Sequence, residues 1–249
     1  DPGVTDNTKL ELSTKSNLND KTFDIIFEKL KKASRPVILA GTGVSISKMS
    51  KQFLGLIRKL KIPVVTGWNA HDLISNDNKY YAGKPGTVGD RPGNFTVQNS
   101  DLLIVLGCRL NIRQISYNWM EFAPKAFKIM VDIDQAELDK PTLKIDQKVK
   151  ADLKTFIPLF IQKIQDLGYT CTKEHKKYLI WCKERVINYP VVLPEYINTK
   201  NKKINPYAFT DELFKLLDKD DVIITGNGSA CVITFQAAKI KQGQRLYTN

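Results

Sequence analysis

Two glycine turns are the first places where this chain could do chemistry. "PVILAGTGVS" (36–45) and "VIITGNGSA" (222–230) each run an apolar stretch into glycines spaced two apart. Glycine allows a positive φ and lets backbone come close to a ligand. N–H groups at the start of a following helix can then receive an anion. With Gly41 and Gly43 go three arginines, Arg91, Arg109 and Arg113, whose planar forks match phosphate. Asp132 or Asp134 could accept from a ribose hydroxyl. Together these residues read as a nucleotide-type site. The turn is GTGVS and not GxGxxG, so a glycine pair serving only a strand-to-helix turn fits as well. Arg109 and Arg113 equally suit ion pairs at a core edge, and His71 suits a solvent-facing or hydrogen-bonded loop position. No Ser–His–Asp arrangement and no carboxylate pair for acid–base work is evident, and no catalytic residue is assigned.

To position these groups, the chain needs strands that end side by side. Helix and strand signals alternate along it. Phe23, Ile26, Phe27 and Leu30 mark one face of a helix that Asn19 or Asp20 can cap. "PVILA" (36–40), "IPVVT" (62–66), "DLLIVLG" (101–107) and "FKIMVDID" (127–134) read as strands covered on both faces. Met49, Phe53, Ile57 and Leu60 mark a second helix. Leu153, Phe156, Ile157, Phe160, Ile161 and Ile164 mark a third, with a kink or late start predicted at Pro158. The alternation predicts an α/β fold with a doubly wound parallel sheet, a Rossmann-like unit over 18–166. A polar linker (1–17) precedes it. Ligands of such sheets bind beyond the carboxyl ends of the strands. There the polar segments 41–45, 67–69, 83–94, 107–113 and 132–134 would converge.

Residues 167–204 read as a helical linker with Tyr178, Trp181, Cys182 and Val186 turned inward. A new unit opens at 205. Asn205 caps, Pro206 takes the first helical position, and Phe209, Leu213, Leu216 and Leu217 are predicted to be buried. A strand (222–225), a glycine turn, a helix and a strand start follow. Roughly 45 residues cannot build an independent core of this type. The second α/β unit is therefore expected to be incomplete, and the chain to be part of a longer protein.

Composition narrows the function classes. The chain has 249 residues and 42% apolar content, enough for a real core. With 38 basic and 26 acidic residues the net charge is +12. The lysines are scattered over helix faces, and only "NTKNKKIN" (198–205) is dense, so the charge reads as solvated surface and not as a nucleic-acid site. No apolar run reaches the ~18 residues of a membrane span. Four separated cysteines without a CxxC pair, and two histidines, argue against zinc and for reduced thiols in the cytoplasm.

Three segments together carry a family resemblance: "NFTVQNSDLLIVLGCRLNIRQ", "KIMVDIDQAELDK" and "DDVIITGNGSACVITFQAAK". They resemble the thiamine diphosphate-dependent enzymes related to acetolactate synthase large subunits, over about residues 20–249. The resemblance implies a central domain at 18–166 and the opening of a diphosphate-binding domain at 205–249. It implies thiamine diphosphate held through Mg²⁺, a 2-keto acid substrate such as pyruvate, decarboxylation with acyl transfer to an acceptor, and homo-oligomers. Gly228 matches the glycine of the family's D-x-G, and Asn227, Ser229 and Ala230 flank it where the diphosphate is contacted. Gly226 stands in place of the usual aspartate and Ser229 in place of a glutamine. Gly41, Gly43, Arg109, Arg113 and Asp132 match positions that approach FAD in flavin-containing members. Asn111 and Ile112 replace an aspartate pair there, and "GDRPGN" replaces a histidine-containing segment, so FAD has the weaker support. The wording of "GDRPGN" and "TGNGSACV" resembles members from surface-polysaccharide sugar pathways. The activating glutamate and the G-D-G…N metal motif are not among these residues, so no metal ligand is assigned and the chain alone is expected to be inactive, with apolar surface exposed. The competing readings are a FAD- or ADP-binding or purely structural module, and a sirtuin-like NAD-dependent deacylase suggested by "GTGVSIS". The latter would need paired zinc cysteines and a G-I-P-D-F-R-like segment.

Overall fold

A computed structural model of the chain describes residues 18–197 and 203–248. The predicted linker (1–17) and most of the basic cluster at 198–205 lie outside them.

Five parallel strands form the main sheet. They are β1 (Pro36–Ala40), β2 (Val64–Thr66), β3 (Leu102–Leu106), β4 (Phe127–Asp132) and β5 (Gln147–Lys150), in the order β2-β1-β3-β4-β5. Ile38 pairs with Val64 on one side and Ile104 on the other, and Ile104 pairs with Ile129. Strand residues alternate between two cores. Ile38, Ala40, Ile104, Ile129 and Val131 face one, and Val37, Leu39, Leu103, Val105 and Met130 face the other. Both faces are covered, which is why these strands read as continuous apolar runs. This is the doubly wound α/β fold expected from the alternation.

Helices α1 (Asp20–Lys32), α3 (Ser50–Leu60) and α7 (Leu153–Asp166) cover the first face, with Phe23, Phe27, Phe53, Phe156 and Phe160 at its centre. The one-turn α2 (Gly43–Ile46) lies between β1 and α3. Helix α4 (Arg91–Gln98) lies on the second face and is crossed by α8 (Lys173–Asn188), whose Tyr178 hydroxyl donates to the Thr96 carbonyl at 2.6 Å. The short helices α5 (Ile112–Ile115), α6 (Gln135–Asp139) and α9 (Pro194–Ile197) fill connections. Asn19 caps α1 as predicted, accepting from Thr22 N–H.

Four features differ from the sequence reading. A fifth strand, β5, extends the sheet; only Val149 in it is buried, so it has no apolar run to announce it. Its lysines suit a sheet edge. Residues 91–94, read as loop, form the first turn of α4, because Asp90 accepts from Gly93 N–H at 2.7 Å and Pro92 tolerates that turn. Helix α7 starts at Leu153, capped by Asp152, and runs through Pro158, so there is no late start.

The fourth lies in the second unit, which comprises α10 (Pro206–Leu216), β6 (Val222–Thr225), α11 (Gly228–Ala237) and β7 (Arg245–Thr248). Strands β6 and β7 form a separate two-stranded parallel sheet. Asn205 caps α10, accepting from Tyr207 N–H. That helix buries Ala208, Thr210, Asp211 and Phe214, while Leu213 and Leu217 are half-buried and Phe209 and Leu216 stay exposed. Of the predicted apolar face, Leu217 packs on the second unit's small core, while Phe209 and Leu216 are left uncovered. A small core of Phe214, Cys231, Phe235, Ala238, Ile240 and Leu246 packs instead against Trp68 of the main unit.

Candidate functional site

The predicted crevice lies at the carboxyl ends of β1 and β3. A cavity of about 110 Å³ opens there, lined by Gly41, Thr42, Trp68, Asn69, Arg109 and Gln114 among others. Gly41 and Arg109 thus meet as expected, while Gly43, Arg113 and Asp132 do not line it. The glycine turn itself is occupied by protein. Gly41 N–H donates to the Leu106 carbonyl at 2.9 Å and Gly43 N–H to the Gly107 carbonyl at 3.0 Å. A Cβ on Gly41 would stand 2.2 Å from the Gly107 carbonyl oxygen, and one on Gly43 would stand 2.7 Å from Gly107 Cα. These glycines let two neighbouring strand-end turns interlock, which is the structural alternative left open by the sequence.

Of the charged candidates, Arg109, Asp132 and Asp134 are engaged locally. Arg109 is exposed and pairs with Glu137 at 3.4 Å. Arg113 is exposed too; its carbonyl accepts from Thr87 N–H at 2.8 Å, fastening the 84–90 loop. Asp132 is buried at the end of β4 and accepts from Asp134 N–H at 3.0 Å; burial pushes its carboxyl up from the usual range. Asp134 caps α6. The two glycine N–H groups of the glycine turn are taken by protein carbonyls and are not free to receive a flavin dinucleotide's diphosphate.

The second turn is built differently. Asn227 makes no side-chain cap to α11, Gly228 has φ +63°, and residues 226–230 are all exposed. Nothing lies within 4 Å of where a Cβ would stand on Gly226 or Gly228. Helix α11 therefore presents an open first turn, with Asn227, Gly228, Ser229 and Ala230 side by side. Apolar residues run all round α11 and not along one stripe, yet the helix is only half-buried. Helices of that composition normally lie inside a protein.

Sequence reasoning missed the seat of this helix. Phe235 stacks on Trp68 with ring centroids 4.7 Å apart, and His71 packs beside both. His71 is buried and hydrogen-bonded to Thr66 at 3.0 Å. The carbonyl end of α11 is gripped by Lys84, whose Nζ donates to Phe235 and Ala238 carbonyls at 2.9 Å and to Gln236 at 3.4 Å. Burial pulls the Lys84 ammonium down to about 8, with Asp90 opposing, so it stays protonated at pH 7. The only sequence signal for this was a lysine inside a glycine-rich loop. All four cysteines are free, with Cys108, Cys182 and Cys231 buried. Among the described residues no group of three metal-ligating side chains stands together, and no helix is long and apolar enough to cross a membrane.

A doubly wound parallel sheet with a glycine-led helix beside it places the chain among the α/β proteins. Comparison with known proteins gives the family. Residues 23–160 match the family model described as "Thiamine pyrophosphate enzyme, central domain". A probable acetolactate synthase large subunit of Methanococcus aeolicus is 35% identical over 145 residues, which is 58% of this chain and 23% of that protein. One of Methanocaldococcus jannaschii is 31% identical over 189 residues, 76% of this chain and 30% of that protein. The acetolactate synthase large subunit of Cyanidium caldarium is 29% identical over 228 residues, 88% of this chain and 37% of that protein. The chain belongs to the thiamine pyrophosphate enzymes, and these relatives are acetolactate synthase large subunits. It spans between 23% and 37% of the length of these relatives.

Proposed function

We propose that the chain serves within a thiamine diphosphate-dependent enzyme that decarboxylates a 2-keto acid such as pyruvate and passes the acyl group to an acceptor. In this reading 18–166 is the central domain and 167–204 a helical connection. Residues 205–249 are the start of the diphosphate-binding domain, and further polypeptide completes the active site. The single observation that carries it is the open, glycine-led first turn of α11. There the N–H groups around Asn227, Gly228, Ser229 and Ala230 would receive the diphosphate, helped by the positive end of the helix dipole. When bound, the cofactor supplies the electron sink that lets the keto acid lose CO₂. Mg²⁺ accompanies the diphosphate on ligands outside this set. The central domain acts as scaffold: its glycine turn holds strands together, and its β2 edge seats α11 through Trp68 and Lys84. Homo-oligomerisation, a cytoplasmic setting and an acceptor from surface-polysaccharide sugar metabolism complete the proposal. The reading is supported by family membership, by the apolar character of α11, and by the exposed Phe209, Leu216, Val222 and Ile224.

Calorimetric titration of thiamine diphosphate with Mg²⁺ into the full-length Gly228→Ala variant tests the assignment. A left-handed non-glycine residue costs about 1–2 kcal/mol, and a methyl here also obstructs the diphosphate. The affinity should fall by about tenfold or more, about 1.4 kcal/mol. Wild-type affinity in this variant removes α11 from the site. Product analysis with pyruvate and candidate sugar-pathway aldehydes or ketones then reads the acceptor.

A further inference from the structure

Among the described residues Lys84 is the one lysine side chain that is wholly enclosed, at 1% exposure. Lysine is almost never fully buried without a partner. Its partners here are not carboxylates but the last carbonyls of α11, at Phe235, Gln236 and Ala238. A cation at this end of a helix also meets the negative end of its dipole. The stem of Lys84 is itself fixed. Its backbone N–H donates to Asp90 Oδ1 at 3.0 Å, and its carbonyl accepts from Asp90 N–H at 2.7 Å. Asp90 is in turn the cap of α4. The main unit therefore reaches into the second unit with a cation held on a rigid loop. Around it the seam is closed by further polar contacts: Gln236 to the Gly89 carbonyl, a two-way pair between Asn76 and Ile240, and Arg245 and Leu246 to Asp72.

Resting on the reading of 227–230 given above, we propose that Lys84 is a positioning residue: it sets the place at which the opposite end of α11 presents its N–H groups to the diphosphate. The helix has 10 residues and rises ~1.5 Å per residue, so the pin acts from about 15 Å away. Pinning one end leaves the other open to the ligand, and no side chain of the main unit need enter the site.

The test uses the full-length protein with three variants. Lys84→Met removes the charge at similar length, Lys84→Arg keeps it, and Lys84→Gln keeps two N–H donors. Two quantities are read at one pH: thiamine diphosphate affinity with Mg²⁺, and amide hydrogen exchange of residues 231–238 against strands 36–40 and 102–106. Lys84→Met is expected to weaken the cofactor at least tenfold and to speed exchange at 231–238 alone, with Lys84→Arg within a few-fold of wild type. Should Lys84→Met not fold, Lys84→Gln is read in its place, with the same direction expected. Unchanged exchange at 231–238 overturns the pin. Faster exchange with unchanged affinity overturns the positioning role, as does Lys84→Arg losing as much as Lys84→Met. A wild-type protein that binds no thiamine diphosphate contradicts the functional reading instead, and the positioning role falls with it, while the exchange data still judge the pin by itself.

Discussion

At the scale of single residues, chemistry and architecture turn out to use the same amino acids for different ends. Gly41 and Gly43 look like a phosphate turn, yet their N–H groups end on the carbonyls of Leu106 and Gly107. Overpacking costs about 1–3 kcal/mol. Gly43→Ala should therefore lower the melting temperature by that equivalent and leave thiamine diphosphate affinity unchanged. A loss of affinity without a loss of stability would return the turn to the binding site. His71 makes a second residue-scale prediction. Burial holds its pKa well below the usual 6.5, and the smaller effect of Lys84 acts the same way. It is neutral in the folded protein at pH 7. As pH falls through 6.5 the unfolded chain takes up a proton and the folded chain does not, so stability present above that pH is lost below it. His175, buried against the Ala33 carbonyl, is shifted in the same direction. Chemical denaturation should show lower stability at pH 5.5 than at pH 7.0. His71→Gln should flatten the part that belongs to His71. A pH dependence that His71→Gln leaves unchanged would show that the buried His71 ring does not set it.

At the scale of elements, legibility followed burial. Strands β1, β3 and β4 are covered on both faces and so announce themselves as apolar runs. Strand β5, at the edge with Lys148 and Lys150, has nothing to distinguish it from a polar loop. The cap of α10 was readable from Asn205 and Pro206, because capping is decided within one turn. Its buried face was not, because that depends on what lies opposite. The open start of α11 could be placed from its glycines, but its seat could not. A lysine meeting carbonyls 151 residues away leaves no local pattern. The stack of Phe235 on Trp68 is likewise a contact between units. Phe235→Ala should cost about 3–5 kcal/mol locally. In differential scanning it should free the second unit to melt ahead of the main sheet. A single unshifted transition would show that the two units do not depend on that stack.

At the scale of the whole molecule, the main sheet is covered on both faces and the second unit is not. Phe209, Leu216, Val222 and Ile224 form an apolar surface on α10 and β6 with 56–83% exposure. Surfaces of that kind mark places where protein is meant to pack. The 249-residue chain by itself should bind a hydrophobic dye and self-associate with rising concentration. Leu216→Lys with Ile224→Lys should abolish both in light scattering, and a monomeric, dye-silent wild-type chain would contradict this. In the proposed reading this is the surface on which the rest of the enzyme packs. The most direct measurement is equilibrium binding of thiamine diphosphate to the full-length protein in the presence of Mg²⁺. Saturation near one cofactor per chain, with inorganic diphosphate competing for the site, is the predicted result. No saturable binding, or binding that inorganic diphosphate leaves untouched, would contradict the account.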